Sequence, residues 1–303
     1  MTRNQAHLIL ILVTILWGFT FVAQKTGMET LGPMSFTAAR YFVGSIGILP
    51  IAFLEYKKNS VITLIKSNKF LALKVFGLGL FMFCGISLQQ IALQYTNIAN
   101  AAFLTALYVP AVPFMSWIVS QNPIKGKIWL ALVISVFGSW MLSGSGTLLS
   151  QWGDLLIIAS VFFWAGHILL IANLTKNINM PFQFSLIQSF ICFILALCFS
   201  SALEMPQLID FAPAIPEIII AGFFSVTLGF SLQIVGQRYS DPTTSAFILS
   251  LESIFGALAG WLLLSQIIGA SSLFGCALIF FAVIIADVLP DHWISVRIIW
   301  RKD

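Results

Sequence analysis

The sequence predicts an all-α membrane protein with ten transmembrane helices, arranged as two inverted five-helix repeats. Three observations lead to this prediction. The 303-residue chain is 59% hydrophobic and only 9% charged, whereas a soluble domain carries about 25% charged residues. Apolar runs of about 20 residues, the length that crosses a hydrocarbon core, follow one another with short connections. A block of residues in the first half of the chain recurs in the second half.

The ten spans are expected to be helices, because backbone exposed to lipid must satisfy its hydrogen bonds within its own segment. The first apolar run extends to Ala23 and no small-residue cleavage site follows it, so it is interpreted as a retained helix and not as a signal peptide. The longest connection is 55–69. The predicted spans are 7–25, 34–54, 70–92, 98–120, 128–144, 152–173, 181–203, 214–236, 243–264 and 271–289.

The distribution of basic residues predicts the orientation of the chain. With the N-terminus in the cytoplasm, thirteen of the fifteen Lys and Arg residues lie at the cytoplasmic side. The outer loop 204–217 carries three acidic residues and no Lys or Arg. The positive-inside rule therefore predicts a multi-pass inner-membrane protein with both termini cytoplasmic. No basic stripe with interleaved aromatic residues is visible, so a nucleic-acid partner is not expected.

The internal repeat is visible as two fixed offsets. At an offset of 144, the block Gly85-x-Ser-Leu-Gln89 falls on Gly229-x-Ser-Leu-Gln233, followed by matching Tyr and Trp residues; at 147, Trp17 falls on Trp164. We predict a first repeat at 1–147, a second at 148–290 and a basic cytoplasmic tail at 291–303. Five spans per repeat force the second copy to enter the bilayer from the opposite face. Inverted repeats of this kind recur in secondary transporters that work by alternating access.

Four stretches of the sequence resemble motifs of the drug/metabolite transporter superfamily, in its ten-helix branch with two EamA domains. They lie in spans 1, 2, 4 and 9, and together their order and spacing cover nearly the whole chain. The stretches are Trp17-Gly-Phe-Thr-Phe-Val-Ala-Gln-Lys25, Ala39-Arg40-Tyr41, Asn100-Ala-Ala-Phe-Leu-Thr-Ala-Leu-Tyr-Val-Pro110 and Ser250-Leu-Glu252-Ser-Ile-Phe-Gly-Ala-Leu-Ala-Gly-Trp261.

The resemblance implies transport of a small molecule, often export driven by an ion gradient or by the cargo's own gradient. It does not select the cargo, which in this superfamily includes amino acids, other metabolites, vitamins and toxic organic compounds. The chain departs from the family pattern in three places. Ser253 stands where the family has proline, which predicts a less kinked ninth helix. Gln266 and Gln121 stand at the helix ends where carboxylates are common.

Charged residues inside spans are the first candidates for a site, because an ionisable group there costs roughly 2.5–3.5 kcal/mol. Glu252 lies near the middle of span 9 and is a candidate to bind a proton or a cargo ammonium group; the alternative is a structural carboxylate. Its repeat counterpart is Tyr108. Arg40 is a candidate to bind a cargo carboxylate or to pair with Glu252. The alternative for Arg40 is an extended side chain that reaches the outer headgroups.

Polar and aromatic residues in other spans complete the candidate site. His167 in span 6 shares a helix face with Trp164, and it is a candidate proton relay or cargo contact, or else a buried structural histidine. In span 1, Thr20 shares a face with Trp17. The two tryptophans are candidate walls for a flat or cationic cargo, and packing is the alternative. Gln89 and Gln233 are candidates to line a polar cavity, and helix-to-helix hydrogen bonds are the alternative.

We therefore predict a secondary transporter that exports small metabolites such as amino acids or amphipathic organic compounds, with protons as a candidate coupling ion. An uptake carrier of the same fold is the alternative. An intramembrane enzyme is disfavoured because no reactive motif is present, and a scaffold because no extensive soluble domain is present. No cofactor or metal is predicted, since the four cysteines have no metal-like spacing. Gly256 and Gly260 allow close helix packing, and a monomer is favoured over a dimer.

Overall fold

A computed structural model of the chain describes residues 1–96, 98–120, 124–142, 152–265 and 267–289. Within these ranges all regular secondary structure is helical. Nine described helices are long and apolar enough to cross a membrane, and the shorter apolar helix Gly126–Leu142 supplies a tenth span. The predicted fold class is therefore confirmed. Gln121, Gln266 and the predicted tail 291–303 lie outside the described residues.

The spans follow the order of the predicted apolar runs. Spans 1 to 5 are Arg3–Thr26, Pro33–Tyr56, Lys69–Ala92, the pair Ile98–Thr105 and Tyr108–Ser120, and Gly126–Leu142. Spans 6 and 7 are Trp152–Asn177 and Pro181–Phe199, the latter continuing as a π-helix over Ser200–Glu204. Span 8 runs through Ile215–Ile220, a π-helix at Ala221–Phe230 and Ser231–Gln237. Spans 9 and 10 are the pair Pro242–Leu249 and Glu252–Leu264, and Ala270–Val288.

Three predicted segments differ from the structure. The connection 55–69 contains a short helix, Val61–Ser67. Spans 4 and 9 are not continuous, because each is interrupted for two residues near its middle. In span 4, Pro110 has no N–H to donate and its ring opposes the carbonyl four residues earlier. In span 9, the hydroxyls of Ser250 and Ser253 donate to carbonyls three residues earlier, at 2.7 Å each, so the helix is interrupted without the family's proline.

The start of span 1 and the end of span 10 lie at the same end of the bundle. Arg3 Nη2 lies 2.6 Å from Asp287 Oδ1, which joins the start of span 1 to the end of span 10. At the opposite end of span 1, Lys25 Nζ donates to the carbonyl of Thr96, between spans 3 and 4, over 3.3 Å. Successive spans therefore alternate in direction, as an even number of crossings requires.

Contacts between the two halves occur in equivalent pairs: for each contact of one span with another, the counterparts of these two spans in the other half also make contact. Span 3 packs on span 6 and span 8 packs on span 1; span 4 packs on span 6 and span 9 packs on span 1; span 3 packs on span 7 and span 8 packs on span 2. Spans 2 and 7, spans 4 and 9, and spans 5 and 10 each pack on their own counterpart. This is the contact pattern of a twofold axis in the membrane plane, with the three self-paired contacts lying on it.

The contact between spans 2 and 7 shows this symmetry in its hydrogen bonds. Neither helix has a side-chain cap of its own, and both begin with proline. Glu204, at the end of span 7, accepts from the backbone N–H groups of Met34 and Ser35 at 2.8 and 2.7 Å. Glu55, at the end of span 2, accepts from the backbone N–H of Gln183 at 2.8 Å. Each helix therefore receives a carboxylate at its positive N-terminal end from the other half.

These reciprocal caps predict a specific loss of stability. Glu204→Ala removes the acceptor of two backbone N–H groups at a helix start, which costs about 1–2 kcal/mol. The melting temperature of the purified protein should fall accordingly. Glu29→Ala is the matched control, because Glu29 is an exposed glutamate at the same end of the bundle. Equal melting temperatures for the two variants would show that the cap does not stabilise the contact between spans 2 and 7.

Candidate functional site

A small cavity of about 40 Å³ lies in the centre of the bundle. The residues that line it come from spans 1, 3, 4, 6, 8 and 9, while none of its described lining residues comes from spans 2, 5, 7 or 10. Every lining side chain except that of Trp17 is buried. The cavity is thus largely occluded, and at this size it has room for a few water molecules, so that a metabolite fits only after the surrounding helices move apart.

The cavity lies on the twofold axis, because its lining consists mainly of repeat-equivalent residues. Of the fourteen lining residues, all but Gln24 and Ser225 fall into pairs at the offsets 147 or 144. The pairs are Trp17 with Trp164, Phe21 with Ile168, Ile86 with Phe230, Gln89 with Gln233, Thr105 with Leu249, and Tyr108 with Glu252. The twofold axis therefore relates the two sides of the cavity. At some positions the two equivalent residues differ in chemistry, as Tyr108 and Glu252 do.

Three aromatic rings form one wall of the cavity. The Phe230 ring lies 4.8 Å from the Trp17 ring and stacks on the Trp164 ring at 6.2 Å and 9°. Trp17 Nε1 donates to the carbonyl of Ser225 at 3.2 Å. Both Ser225 and Phe230 belong to the π-helical part of span 8, a distortion that is frequent at functional sites.

The repeated glycines explain how the two tryptophans fit. A Cβ on Gly229 would collide with the Trp17 indole, and a Cβ on Gly85 would lie 3.1 Å from Trp164 Cε2. Each half thus provides a glycine against which the tryptophan of the other half packs. This contact accounts for the glycine in the repeated Gly-x-Ser-Leu-Gln block.

Glu252 and Tyr108 meet where spans 4 and 9 are interrupted. Each is the first residue of the second helix of its span. Tyr108 Oη lies 3.5 Å from Glu252 Oε1, so the two repeat-equivalent side chains touch each other across the axis. Glu252 is 6% exposed and is the cavity's acidic residue. A single carboxylate in an otherwise neutral cavity is suited to hold a proton or an organic cation.

The two glutamine candidates also line the cavity, with different partners. Gln89 Nε2 donates to Thr105 Oγ1 at 2.9 Å. Gln233 is 1% exposed, and its Oε1 has no hydrogen-bond partner among the described residues. Since buried polar groups are normally hydrogen-bonded, Gln233 Oε1 is an acceptor available to cargo or water.

Three candidates from the sequence do not line the cavity. Thr20 is buried and its hydroxyl donates to the carbonyl of Trp17 at 3.0 Å. His167 is fully buried, with Nε2 2.9 Å from Gln188 Oε1 and its ring edge against Trp164 and Phe230. His167 therefore lies directly behind the aromatic wall, whereas the Thr20 hydroxyl bonds the backbone of its own helix.

Arg40 is also separated from the cavity, and its environment is unusual. It is fully buried, so its side chain does not reach the headgroups, and none of its three guanidinium nitrogens has a hydrogen-bond partner among the described residues. It forms no ion pair with Glu252. Its guanidinium lies 5.3 Å from the centre of the Tyr41 ring and 5.8 Å from that of Phe36.

A polar cluster joins helices at the end of the bundle that carries the N-terminus. His7 Nε2 lies 3.1 Å from Ser240 Oγ, and His7 Nδ1 lies 2.9 Å from Asp287 Oδ2. Asp287 also pairs with Arg3. We call these four residues the proximal seal. It joins spans 1 and 10 to the connection between spans 8 and 9.

A second cluster joins helices at the opposite end. Asn100 Nδ2 donates to Asp154 Oδ1 at 2.6 Å and to Thr96 Oγ1 at 3.0 Å, and Lys25 bonds the Thr96 carbonyl. We call these four residues the distal seal. Asp154 is equivalent to His7 at offset 147, and Thr96 is equivalent to Ser240 at offset 144. The repeat offsets pair these positions. Because the paired residues differ in type, a search for identical residues in the two halves does not find them.

Comparison with known proteins gives concordant results. The sequence profile of the EamA-like transporter family matches residues 4–144 and again 151–286. A protein of Archaeoglobus fulgidus named as an uncharacterized transporter is 29% identical over 94% of this chain and 87% of its own length. The Bacillus subtilis uncharacterized transporter YoaV is 21% identical over 89% of this chain and 92% of its own length. A crystal structure with 16% sequence identity shares the fold, with a TM-score of 0.74 over 97% of this chain and 100% of the other.

The packing of Trp17 on Gly229 predicts the effect of a single methyl group. Gly229→Ala should lower the melting temperature by an amount equivalent to about 1–3 kcal/mol, the usual cost of overpacking. Gly77→Ala is the matched control, because its Cβ would meet nothing nearer than Leu170 Cδ1 at 3.9 Å. That control should be neutral or slightly stabilising, since alanine reduces the freedom of the unfolded chain. Two equal responses would contradict the tight contact.

Proposed function

Because the chain belongs to the EamA-like transporter family, we propose that it is a secondary transporter that moves small metabolites across the membrane by alternating access. The observation that carries the proposal is the occluded cavity on the twofold axis, lined by equivalent residues of both halves. In an inverted repeat, the two halves can exchange conformations, so that a state open to one face becomes a state open to the other. The cargo then stays at the axis while the opening of the cavity changes from one face of the membrane to the other.

The seals supply the two barriers that such a mechanism needs. The proximal seal lies at one end of the bundle and the distal seal at the other, at positions that the repeat relates. The proximal seal links the start of span 1 to the connection between spans 8 and 9. The distal seal links the start of span 6 to the connection between spans 3 and 4. These elements are equivalent in the two repeats. We propose that transport opens them one at a time.

The lining favours a cargo with an apolar, preferably flat body and a few polar groups. Trp17, Trp164 and Phe230 present aromatic surface, while Glu252 and Gln233 present a carboxylate and a free amide oxygen. Amino acids and amphipathic organic compounds fit this combination. Export is the proposed direction, and proton coupling through Glu252 is the proposed energy source.

The proposed setting is the inner membrane, with both termini in the cytoplasm. Nine of the Lys and Arg residues whose positions are described support it by lying at the end of the bundle that carries the proximal seal: Arg3, Lys57, Lys58, Lys66, Lys69, Lys125, Lys127, Lys176 and Arg238. The proposed units are 1–147 and 148–290. We propose that the protein works as a monomer and has no catalytic activity.

Reconstitution into liposomes tests the transport function. The full-length protein is screened for uptake of radiolabelled amino acids and of fluorescent organic cations, against protein-free liposomes. Flux that saturates with cargo concentration supports the proposal. Folded protein that gives neither flux nor binding across both panels would overturn it.

Glu252→Gln tests the proton coupling. The variant keeps the size of the side chain but cannot exchange a proton, so a pH gradient should no longer drive accumulation of cargo. Exchange of labelled for unlabelled cargo without a gradient should persist, because it requires no net proton movement. Both rates are measured in the same liposome preparation.

Tyr108→Phe is the matched control for this variant. It removes the hydroxyl that touches Glu252 at 3.5 Å and leaves the carboxyl group in place, so accumulation driven by a pH gradient should survive. If Glu252→Gln liposomes accumulate cargo as well as the unmodified protein does, Glu252 is not the proton carrier.

A further inference from the structure

The guanidinium of Arg40 has no anionic partner in the described part of the protein. It is fully buried within span 2, and all three of its nitrogens lack hydrogen-bond partners. A buried charge is costly unless it is paired and hydrogen-bonded. The rings of Phe36 and Tyr41 provide cation–π contacts, but a ring face accepts none of the five N–H bonds that a guanidinium can donate.

Most acidic side chains are committed to other groups. Glu252 contacts Tyr108, Glu55 and Glu204 cap helix starts, and the remaining acids with described bonds are Asp154, Asp210, Asp241 and Asp287. Glu29 is exposed. Glu217 is the acid whose Oε2 is buried without a partner, so it is the alternative counter-charge that an experiment must exclude.

The second half of the protein shows what stands at the equivalent place. Pro33 and Phe36 match Pro181 and Phe184 at an offset of 148, which places Arg40 on Gln188. Gln188 is bonded to His167, and the equivalent of His167 is Thr20. The Thr20 hydroxyl is turned to the Trp17 carbonyl. The first half therefore has a charged donor where the second has an amide, and a small side chain where the second has an imidazole partner.

We infer that Arg40 is a binding site for a small anionic group, a carboxylate or an inorganic anion, adjacent to the cavity. The guanidinium fork matches the geometry of a carboxylate. The site lies one ring beyond the cavity, because Tyr41, next to Arg40, contacts the cavity-lining Phe230 ring at 6.2 Å. The inference rests on the proposed function in one respect: a cargo carboxylate would have to reach Arg40 from the transport cavity.

Anion-dependent stability of the full-length protein in detergent tests the site without any transport measurement. Methanesulfonate, which carries no carboxylate group, is replaced by chloride, acetate or phenylacetate at constant ionic strength, and the melting temperature is recorded. The unmodified protein should show a saturable rise. Arg40→Gln, which installs the residue of the second half, should lose the dependence completely. Arg40→Lys should keep it with a higher half-saturating concentration, which covers the case in which the glutamine variant does not fold.

Two further variants are matched controls. Lys74→Gln removes a peripheral cation bonded to Asn173 and should respond to anions as the unmodified protein does. Glu217→Gln should respond likewise. If only Glu217→Gln responds to anions, Glu217 is the counter-charge and the inference is overturned. It is also overturned if the unmodified protein shows no dependence or if Arg40→Gln retains it.

The choice of anion distinguishes the two sources. A rise with carboxylates alone assigns Arg40 to the carboxylate of a cargo molecule, whereas an equal rise with chloride assigns it to a free inorganic anion. The melting curves require no flux, so they are independent of the transport assay. Anion-dependent stability in a protein that shows no transport would contradict the proposed function and leave this inference standing.

Discussion

The odd number of spans in each repeat is the constraint on which the rest of the structure depends. A five-span unit that begins at one membrane face ends at the other, so its second copy must be inverted. The two copies then meet around an axis in the membrane plane. The self-paired contacts of spans 2 and 7, 4 and 9, and 5 and 10 follow from this geometry. So do the reciprocal caps of Glu55 and Glu204 and the glycine contacts of the two tryptophans.

The symmetry of the backbone is not matched by the chemistry at the axis. Tyr108 and Glu252 occupy equivalent positions and touch each other, so the cavity has one carboxylate and not two. Arg40 and Gln188 form a second unequal pair. The states open to the two faces of the membrane are therefore chemically inequivalent, which permits a difference in free energy between them. A bias of this kind, set by protons or by cargo, is what a coupled transporter requires.

Hydropathy and charge predict the spans and their direction because both signals are local: an apolar run must be long enough to cross the bilayer, and cations stay on one side of it. The repeat offsets pair Trp17 with Trp164 and Tyr108 with Glu252, and the structure places these four residues on the lining of the cavity. The breaks in spans 4 and 9 escaped prediction, since an apolar run has the same hydropathy whether or not its helix is continuous. The full burial of Arg40 and the two seals depend on which helices pack together. The identities of His7 and Asp154 give no hint that they are equivalent.

Alternating access through the two seals is the central claim, and hydrogen–deuterium exchange of the full-length protein tests it most directly. Asp287→Asn weakens the proximal seal and Asp154→Asn the distal seal, because each loses a charged hydrogen-bond acceptor. If the seals open one at a time, Asp287→Asn raises exchange in residues 233–249 and lowers it in 98–105. Asp154→Asn should do the reverse, as a shift between two states demands. Exchange that rises at both ends in either variant, or that leaves the opposite end unchanged, would contradict the account.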